Sequence, residues 1–196
     1  MKIVGLLLAA GQSSRMGQPK QLLLWKNRPL VAYIAHEALN SQLDGLTVVI
    51  GAAGEHVQAT LRDLPVTIVS NPAYVAGLST SLAAGLRALP SDTTAAMILL
   101  VDQPLVTSRL INELIAAYRA TPTALALVPM YQGQRGNPVI VGAPLFAELQ
   151  TLQGDTGARS VFQRYTDQII WYQTDDPAVI TDTDTPEAWQ ALNPQV

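Results

Sequence analysis

The residues of this chain that could hold a phosphate lie between positions 6 and 20, in the segment LLLAAGQSSRMGQPK. An apolar run leads into small residues, and a loop of small residues lets backbone N–H groups come within hydrogen-bonding distance of a phosphate. Arg15 adds a planar guanidinium and Lys20 a mobile ammonium on the same loop. The alternative is a solvated basic loop after a core strand. The segment predicts a phosphate-binding loop, although it matches neither the P-loop nor the dinucleotide-binding fingerprint.

Asp102 is a candidate ligand for Mg²⁺. It directly follows the apolar run 96–101, and open α/β sheets bind their ligands beyond the carboxyl ends of such strands. Mg²⁺ takes one or two carboxylates together with phosphate oxygens, which suits a site beside a phosphate loop. The alternative role for Asp102 is to cap the next helix, but Thr107 or Ser108 is better placed for that.

A second carboxylate ligand is expected from the segment TDTDTPE at 181–187. If this segment is extended, Asp182 and Asp184 point to the same side, so that both could face one cation. The alternative is that Asp184 or Thr185 caps a helix that begins at Pro186. One residue could cap the helix while the other binds metal, and the residue types alone leave this open.

These candidates must be positioned by a sheet whose strands alternate with helices. Apolar runs predict strands before Gly11 and at 46–50, 66–69, 96–101, 124–128, 139–141 and 168–172, and amphipathic stretches predict helices at 30–43, 54–61, 78–89 and 108–118. This alternation is typical of an α/β protein with a Rossmann-like, doubly wound, mostly parallel sheet. The segment 124–141 predicts a small hairpin-like insertion at one end of that sheet. Neither a linker nor a repeat interrupts residues 1–196, so we expect a single domain.

The composition excludes several classes of protein. The chain has no cysteine and two histidines, which excludes cysteine-ligated zinc and thiol nucleophiles and is compatible with a reducing cytoplasm, where we expect the protein. The apolar N-terminal run is shorter than the roughly 20 residues of a membrane span, so we expect no membrane association. It resembles a signal peptide in part, but a buried strand explains it better.

The charged residues are distributed unevenly along the chain. Residues 1–28 hold five basic side chains and no acid, whereas residues 167–196 hold six acids and no base. The basic residues are spread out and the net charge is −3, so nucleic acid is not expected as a partner. A small anionic ligand near the first segment, with a cation held by acids, fits better.

The motif LAAGQSSRMGQPKQL resembles the signature loop of the MobA-like nucleotidyltransferase family, which joins a nucleotide to a phosphorylated acceptor. The segments NPAYVAGLSTSL and DTDTPE are similar to further segments of that family, and the first is close to its cytidylyltransferase branch. Ala188 stands where the family has a final Asp. The resemblance implies CTP as the nucleotide, Lys20, Arg15 and Asp102 as catalytic residues, and Asp184 as the preferred second metal ligand. The nucleotide-binding residues that it implies are Leu8, Ala9, Ala10, Gly11, Ser14, Arg15, Lys20, Gly77, Ser81 and Asp102.

Two glycine-containing loops resemble the acceptor side of the same branch. From residue types alone they are turns, with Asp155-Thr156 capping a helix that runs to Arg164. The resemblance implies molybdenum cofactor as the acceptor and a molybdenum hydroxylase as the recipient of the product. The alternatives are guanylyl transfer, a sugar or polyol phosphate acceptor, and a non-catalytic cofactor-delivery protein. The implied acceptor-binding residues are Arg135, Gly136, Asn137, Pro138, Asp155 and Arg159.

Overall fold

The first strand of the protein is the centre of its sheet. The computed structural model describes residues 1–13, 15–154 and 158–193. Strand β1 (Ile3–Ala9) pairs in parallel with strands formed by Leu46–Ile50 on one side and Ala95–Leu100 on the other. All seven residues of β1 are buried. Because both faces of a central parallel strand are covered, its apolar run does not alternate with polar residues. The predicted N-terminal strand is confirmed.

The sheet is parallel except for one strand and a short hairpin. Its order is β10-β7-β9-β6-β1-β4-β5, in which only β9, of the strands on this path, runs antiparallel to its neighbours, and β8 pairs with β7. A separate two-stranded ribbon joins β2 to β3. The remaining bounds are β2 Leu24–Trp25, β3 Arg28–Pro29, β4 Leu46–Ile50, β5 Thr67–Ser70, β6 Ala95–Leu100, β7 Ala126–Tyr131, β8 Gln134–Arg135, β9 Val139–Gly142 and β10 Ile169–Gln173.

The hairpin-like insertion lies inside the sheet, and its predicted position at one end of the sheet was wrong. Strand β7 does not pair with β6. After β7 the chain turns back through β8, and β9 lies between β6 and β7 and pairs with both. The run of buried residues in β9 gave no sign of direction, because strands covered on both faces look alike in sequence whether parallel or antiparallel.

Helices cover both faces of the sheet, as the alternation of elements predicted. One core contains buried side chains of helices α1 (Leu30–Leu39), α2 (Gly54–Thr60) and α4 (Ser108–Arg119), and the other contains those of α3 (Leu78–Ala88), α5 (Phe146–Leu149) and α6 (Arg159–Phe162). A last helix, α7 (Pro186–Leu192), packs Trp189 into the first core. Consecutive residues of β1 serve opposite cores, Leu7 the first and Leu8 the second.

Two predicted helices are shorter than expected. Helix α1 ends at Leu39, and a 3₁₀ segment follows α6 at Gln163–Gln168. Helix α6 begins at Arg159 with Ala158 as its N-cap, and the pair Asp155-Thr156, predicted to cap this helix, lies outside the described residues. In the parts of the chain that the structure describes, we find no helix with the length and apolarity needed to cross a membrane.

Candidate active site

The loop after β1 is held in shape by a buried glutamine. The side chain of Gln21 is fully buried, and its Nε2 donates hydrogen bonds to the carbonyl oxygens of Ala9 (3.1 Å) and Gly11 (2.6 Å). The hydroxyl of Ser13 donates to Gln21 Oε1 at 3.5 Å and accepts from the backbone N–H of Lys20 at 3.0 Å. These bonds join the start of the loop to its end. They fix where Lys20 leaves the backbone.

Lys20 lies between two carboxylates from distant parts of the chain. Its Nζ is 2.6 Å from Asp102 Oδ2 and 2.7 Å from Asp184 Oδ1. Arg15 reaches the other oxygen of Asp184, with its NH2 2.7 Å from Oδ2. The side chain of Lys20 is only 12% exposed, whereas that of Arg15 is 67% exposed. The structure therefore brings together Arg15, Lys20, Asp102 and Asp184 as one cluster of ion pairs.

Threonine residues on both sides of Asp184 place it in this cluster. Thr183 is fully buried, and both its N–H (2.9 Å) and its hydroxyl (3.0 Å) donate to the carbonyl oxygen of Asp102. Thr185 is the N-cap of α7, where its hydroxyl accepts from the N–H of Ala188 at 3.2 Å. The cap is thus made by Thr185, and the carboxylate of Asp184 is left to face Lys20.

The remaining candidate ligand lies apart from this cluster. Asp182 is exposed, in contrast to the half-buried Asp184 two residues later. Within the described residues, no hydrogen bond or ion pair joins Asp182 to the cluster. Asp182 as a metal ligand therefore stays a prediction.

Burial and charge shift the pKa values of the cluster. Burial raises the pKa of the Asp102 carboxyl, and the charge of Lys20 and its hydrogen bond offset this only in part. Burial acts in the same direction on Asp184, but Lys20 and Arg15 together outweigh it and lower the pKa of that carboxyl. Burial would lower the pKa of Lys20, yet the two carboxylates together raise it. The ammonium therefore stays protonated at neutral pH.

A cleft of about 450 Å³ lies against the phosphate loop and the ion pairs. Its lining combines predicted nucleotide-site residues from three segments of the chain: Leu8, Ala10, Gly11, Arg15, Lys20, Gly77, Ser81 and Asp102. Ala9 is fully buried, and its carbonyl is the one that Gln21 holds. Ser14 lies outside the described residues. A nucleotide in this cleft would have loop N–H groups, Lys20 and the carboxylates around it.

The segment opposite the phosphate loop is organised by Asn71. Its buried Nδ2 donates to the hydroxyls of Thr80 (2.9 Å) and Ser81 (3.0 Å), and its Oδ1 accepts from the N–H of Ala73 at 3.0 Å. Gly77 is the N-cap of α3, with a φ of 108°, which favours glycine. The serine predicted to contact the nucleotide is therefore also tied to the fold.

A second cavity, of about 260 Å³, adjoins the nucleotide cleft and shares Leu8, Leu78 and Leu100 with it. Arg135, Gly136 and Asn137 line it, whereas the nearby Pro138 is buried. A Cβ on Gly136 would overlap the carbonyl oxygen of Val179, so only glycine fits there. Of the other predicted acceptor residues, Asp155 lies outside the described residues and Arg159 begins α6. The structure thus brings residues 135–137 beside the nucleotide cleft.

The residues present fit a divalent cation. Asp102 Oδ1 is buried and has no hydrogen-bond partner among the described residues, although its carboxylate is at the edge of the cleft. The hydrogen bonds of Asp102 and Asp184 to Lys20 bring the two carboxylates to one ammonium group. Two carboxylates beside a phosphate site are the donor set that a Mg²⁺-like ion takes, with phosphate and water completing its shell.

Three contributors to this site were missed by sequence reasoning. In the sequence, Gln21 is a polar residue before an apolar run, which does not predict a buried side chain. Thr183 stands between two aspartates, which are the more obvious candidates for function. Asn71 stood before a proline and looked like part of a turn. All three act through hydrogen bonds to residues elsewhere in the chain, which spacing along the sequence does not show.

Fold and family both identify the protein as a nucleotidyltransferase enzyme. Residues 5–169 match the MobA-like NTP transferase domain, and the chain belongs to that family. Residues after this match supply Asp184, α7 and all of β10 except its first residue.

Three relatives illustrate the range of the family. The chain is 29% identical to nicotine blue oxidoreductase of Paenarthrobacter nicotinovorans, over 97% of this chain and 96% of that protein. It is 26% identical to the molybdenum cofactor cytidylyltransferase of Escherichia coli K12, over 93% and 91%. The solved structure of Rv0371c from Mycobacterium tuberculosis H37Rv, a complex with manganese, is 26% identical, covers all of both chains and superposes with a TM-score of 0.82.

Proposed function

We propose that this protein transfers CMP from CTP to the terminal phosphate of molybdenum cofactor, releasing pyrophosphate and forming the cytosine dinucleotide. The observation that carries this is a cleft lined by Lys20 and Asp102, with Asp184 paired to the same Lys20 ammonium, that shares a wall with a second cavity. One cleft would hold the triphosphate and the other the acceptor. The similarity to a molybdenum cofactor cytidylyltransferase supports the choice of both substrates. A molybdenum hydroxylase is the expected recipient of the product.

The chemistry needs positioning and charge compensation more than it needs an acid or a base. A phosphate monoester is largely ionised at neutral pH, since its second pKa is about 6, so no base has to activate it. One of its oxygens bonds to the α-phosphorus of CTP. The bond between that phosphorus and the oxygen bridging to the β-phosphorus breaks, and its electron pair leaves with pyrophosphate. The protein holds the two anions in line.

Lys20 and Arg15 supply the positive charge that the protein's own side chains bring to the phosphates in this reaction. Both would exchange a carboxylate partner for oxygens of the triphosphate, and so stabilise the negative charge that grows on the departing pyrophosphate. Asp102 and Asp184 would hold a divalent cation, Mg²⁺ in this proposal, and a bound cation neutralises charge on the phosphates. The hydrogen bonds of Gln21 keep the loop in position to receive those phosphates.

The experiment is pyrophosphate release by the purified protein with purified molybdenum cofactor, Mg²⁺ and each of CTP, GTP, ATP and UTP in turn. We expect release with CTP, and its loss in Asp102→Asn. Preference for GTP would overturn the choice of nucleotide, and turnover with a sugar or polyol phosphate instead would overturn the choice of acceptor. Binding of CTP and cofactor without pyrophosphate release would support a cofactor-delivery protein.

A second candidate function is favoured by one comparison, the similarity to an oxidoreductase over nearly the whole chain. A reduced nicotinamide dinucleotide is the common donor for such a reaction, and its oxidation can be followed spectrophotometrically. If oxidation depended on the added protein and persisted in Asp102→Asn, oxidoreductase chemistry would replace nucleotidyl transfer. We expect no such oxidation, because the cleft contains the charged groups that a triphosphate and its cation need.

A further inference from the structure

We propose that Trp171 is a positioning residue for the acceptor: it holds the guanidinium of Arg135 at the mouth of the second cavity, where Arg135 binds an anionic group. The assignment of that cavity to the acceptor rests on the proposed function above. The contact between the two side chains, in contrast, is a property of the fold. Trp171 is the part that neither the sequence motifs nor the likeness to relatives indicates.

The two side chains meet across strand β7. Arg135 is on β8, opposite Met130 of β7, and Trp171 is on β10, opposite Val128 of the same strand. The guanidinium carbon of Arg135 lies over the Trp171 ring, 4.5 Å from the ring centroid. This is within the distance at which the negative face of an indole attracts a cation.

The Trp171 ring is itself held in place. Its Nε1 donates to the carbonyl oxygen of Thr166 at 3.3 Å. The side chain is partly buried and packs against the core cluster that includes Val128 and Phe162, both of which line the second cavity. The ring is thus a fixed surface at the side of the cavity, and an arginine lying on it loses little further freedom when it binds an anion.

The ring positions Arg135 without cancelling its charge. Arg15 has an ion-pair partner in Asp184, at 2.7 Å. Arg135, in contrast, forms no ion pair with a carboxylate in the described parts of the chain, and of the described residues that line the cavity it alone is charged. A carboxylate partner would compete with an incoming anion, whereas an aromatic face does not. Arg135 is therefore free to bind a phosphate through its guanidinium.

The other residues that line the second cavity indicate what kind of molecule carries that anionic group. Most of it is aliphatic or aromatic: Leu8, Leu78, Leu82, Ile98, Leu100, Val128, Val139, Ala158 and Phe162. Such walls suit an uncharged, flat or apolar body, and polar contacts come from Asn137 and the backbone of Gly136. The acceptor class that fits is a compact ring system that carries one phosphate.

Steady-state kinetics with CTP and purified molybdenum cofactor test the role of Trp171. We expect Trp171→Leu to raise the KM for the cofactor about fivefold, with kcat and the KM for CTP unchanged, because a cation–π contact at an exposed arginine contributes up to about 1 kcal/mol. Trp171→Phe keeps an aromatic face and should stay within about threefold of the native KM. Arg135→Ala should raise the same KM, and adding Trp171→Leu to it should change nothing further. Arg109→Ala, at an exposed arginine of α4, is the matched control.

An unchanged KM for the cofactor in Trp171→Leu would overturn the proposal, and so would either of two other kinetic results. One is that Trp171→Leu raises the KM for CTP as much as that for the cofactor. The other is that it has its full effect in the Arg135→Ala background, because Trp171 would then act without Arg135.

A second measurement separates this proposal from the proposed function. In the NMR spectrum of the native protein, the δ-methylene protons of Arg135 should be shifted upfield by the ring, and inorganic phosphate should shift the Arg135 Nε–H signal. Both effects should be lost in Trp171→Leu and kept in Trp171→Phe. If the native protein releases no pyrophosphate with the cofactor but shows these shifts, the function fails and the positioning role stands. If the shifts are absent, the positioning role fails whatever the kinetics show.

Discussion

Replacing Gln21 by methionine should damage both the stability of the protein and the binding of CTP. Methionine is similar in volume and apolar, so the change removes the hydrogen bonds of the amide without opening a large cavity. Two of these are donated by Nε2 to the carbonyls of Ala9 and Gly11, at 3.1 and 2.6 Å, and the third, accepted from the Ser13 hydroxyl at 3.5 Å, is long and contributes little beside the other two. At about 1 kcal/mol for each bond, the free energy of unfolding should fall by about 2 kcal/mol. Since Ala9 is fully buried, water cannot readily replace the lost donor there.

The loss of stability can be measured by thermal unfolding and by urea titration. A change of about 2 kcal/mol corresponds to a fall in Tm of about 4–8 °C for a domain of this size. We expect CTP affinity to fall about tenfold as well. Without the hydrogen bonds of Gln21 the loop becomes ordered only when CTP binds, and the free energy of that ordering is lost from the affinity. The matched control is Gln18→Met, the same substitution at an exposed glutamine of the same loop. It should change the free energy of unfolding by less than about 0.5 kcal/mol.

The reasoning would be refuted if Gln21→Met matched the native protein in Tm and in CTP affinity, since the two carbonyls would then not need the glutamine. A fall in Tm with unchanged CTP affinity would restrict Gln21 to a structural role. A fall in CTP affinity in the Gln18→Met control would show that the loop responds to any substitution, and would remove the argument for Gln21 in particular.

Three further predictions concern other parts of the site. Lys20→Ala should reduce turnover more than CTP affinity, and unchanged turnover in a steady-state assay would exclude Lys20 from the chemistry. Thr183→Val should lose one hydrogen bond to the carbonyl of Asp102, which lowers the free energy of unfolding by about 1 kcal/mol and raises the Mg²⁺ concentration needed for half-maximal activity. Gly136→Ala should overlap the carbonyl of Val179 and cost about 1–3 kcal/mol in urea unfolding, together with a higher KM for the acceptor; native behaviour would mean that the backbone shifts freely.

The sequence predicted the parts of the fold that depend on local pattern. Each predicted apolar run became a strand, and in β1, β4 and β9 every position is buried, as a strand covered on both faces requires. The place of β9 between β6 and β7 was not predictable in this way, since it depends on where β7 docks after α4. The early end of α1 at Leu39 was also missed, because Leu43 keeps the apolar spacing of the helix and still packs against the core after the helix has ended.

The candidate site divides along the same line. Charged residues beside the ends of strands, such as Asp102, were found because their types and positions carry the signal. Thr183 and Trp171 were not found, because each contacts a residue far away in the sequence and the residues beside it do not predict that contact. Arg135 and Trp171 are separated by 36 positions, yet they touch because β8 and β10 both pair with β7.

The ion pairs of the cluster connect the basic start of the chain with its acidic end. Lys20 and Arg15 balance Asp102 and Asp184, so that the site holds four charged side chains without net charge. Removing the ammonium from a buried carboxylate costs several kcal/mol if nothing replaces it. Lys20 can therefore turn towards a triphosphate only if another positive charge comes to the two carboxylates. A nucleotide that arrives with a divalent cation meets this condition and a nucleotide alone does not. We therefore expect a requirement for metal from the position of Lys20 as much as from the chemistry of the phosphates.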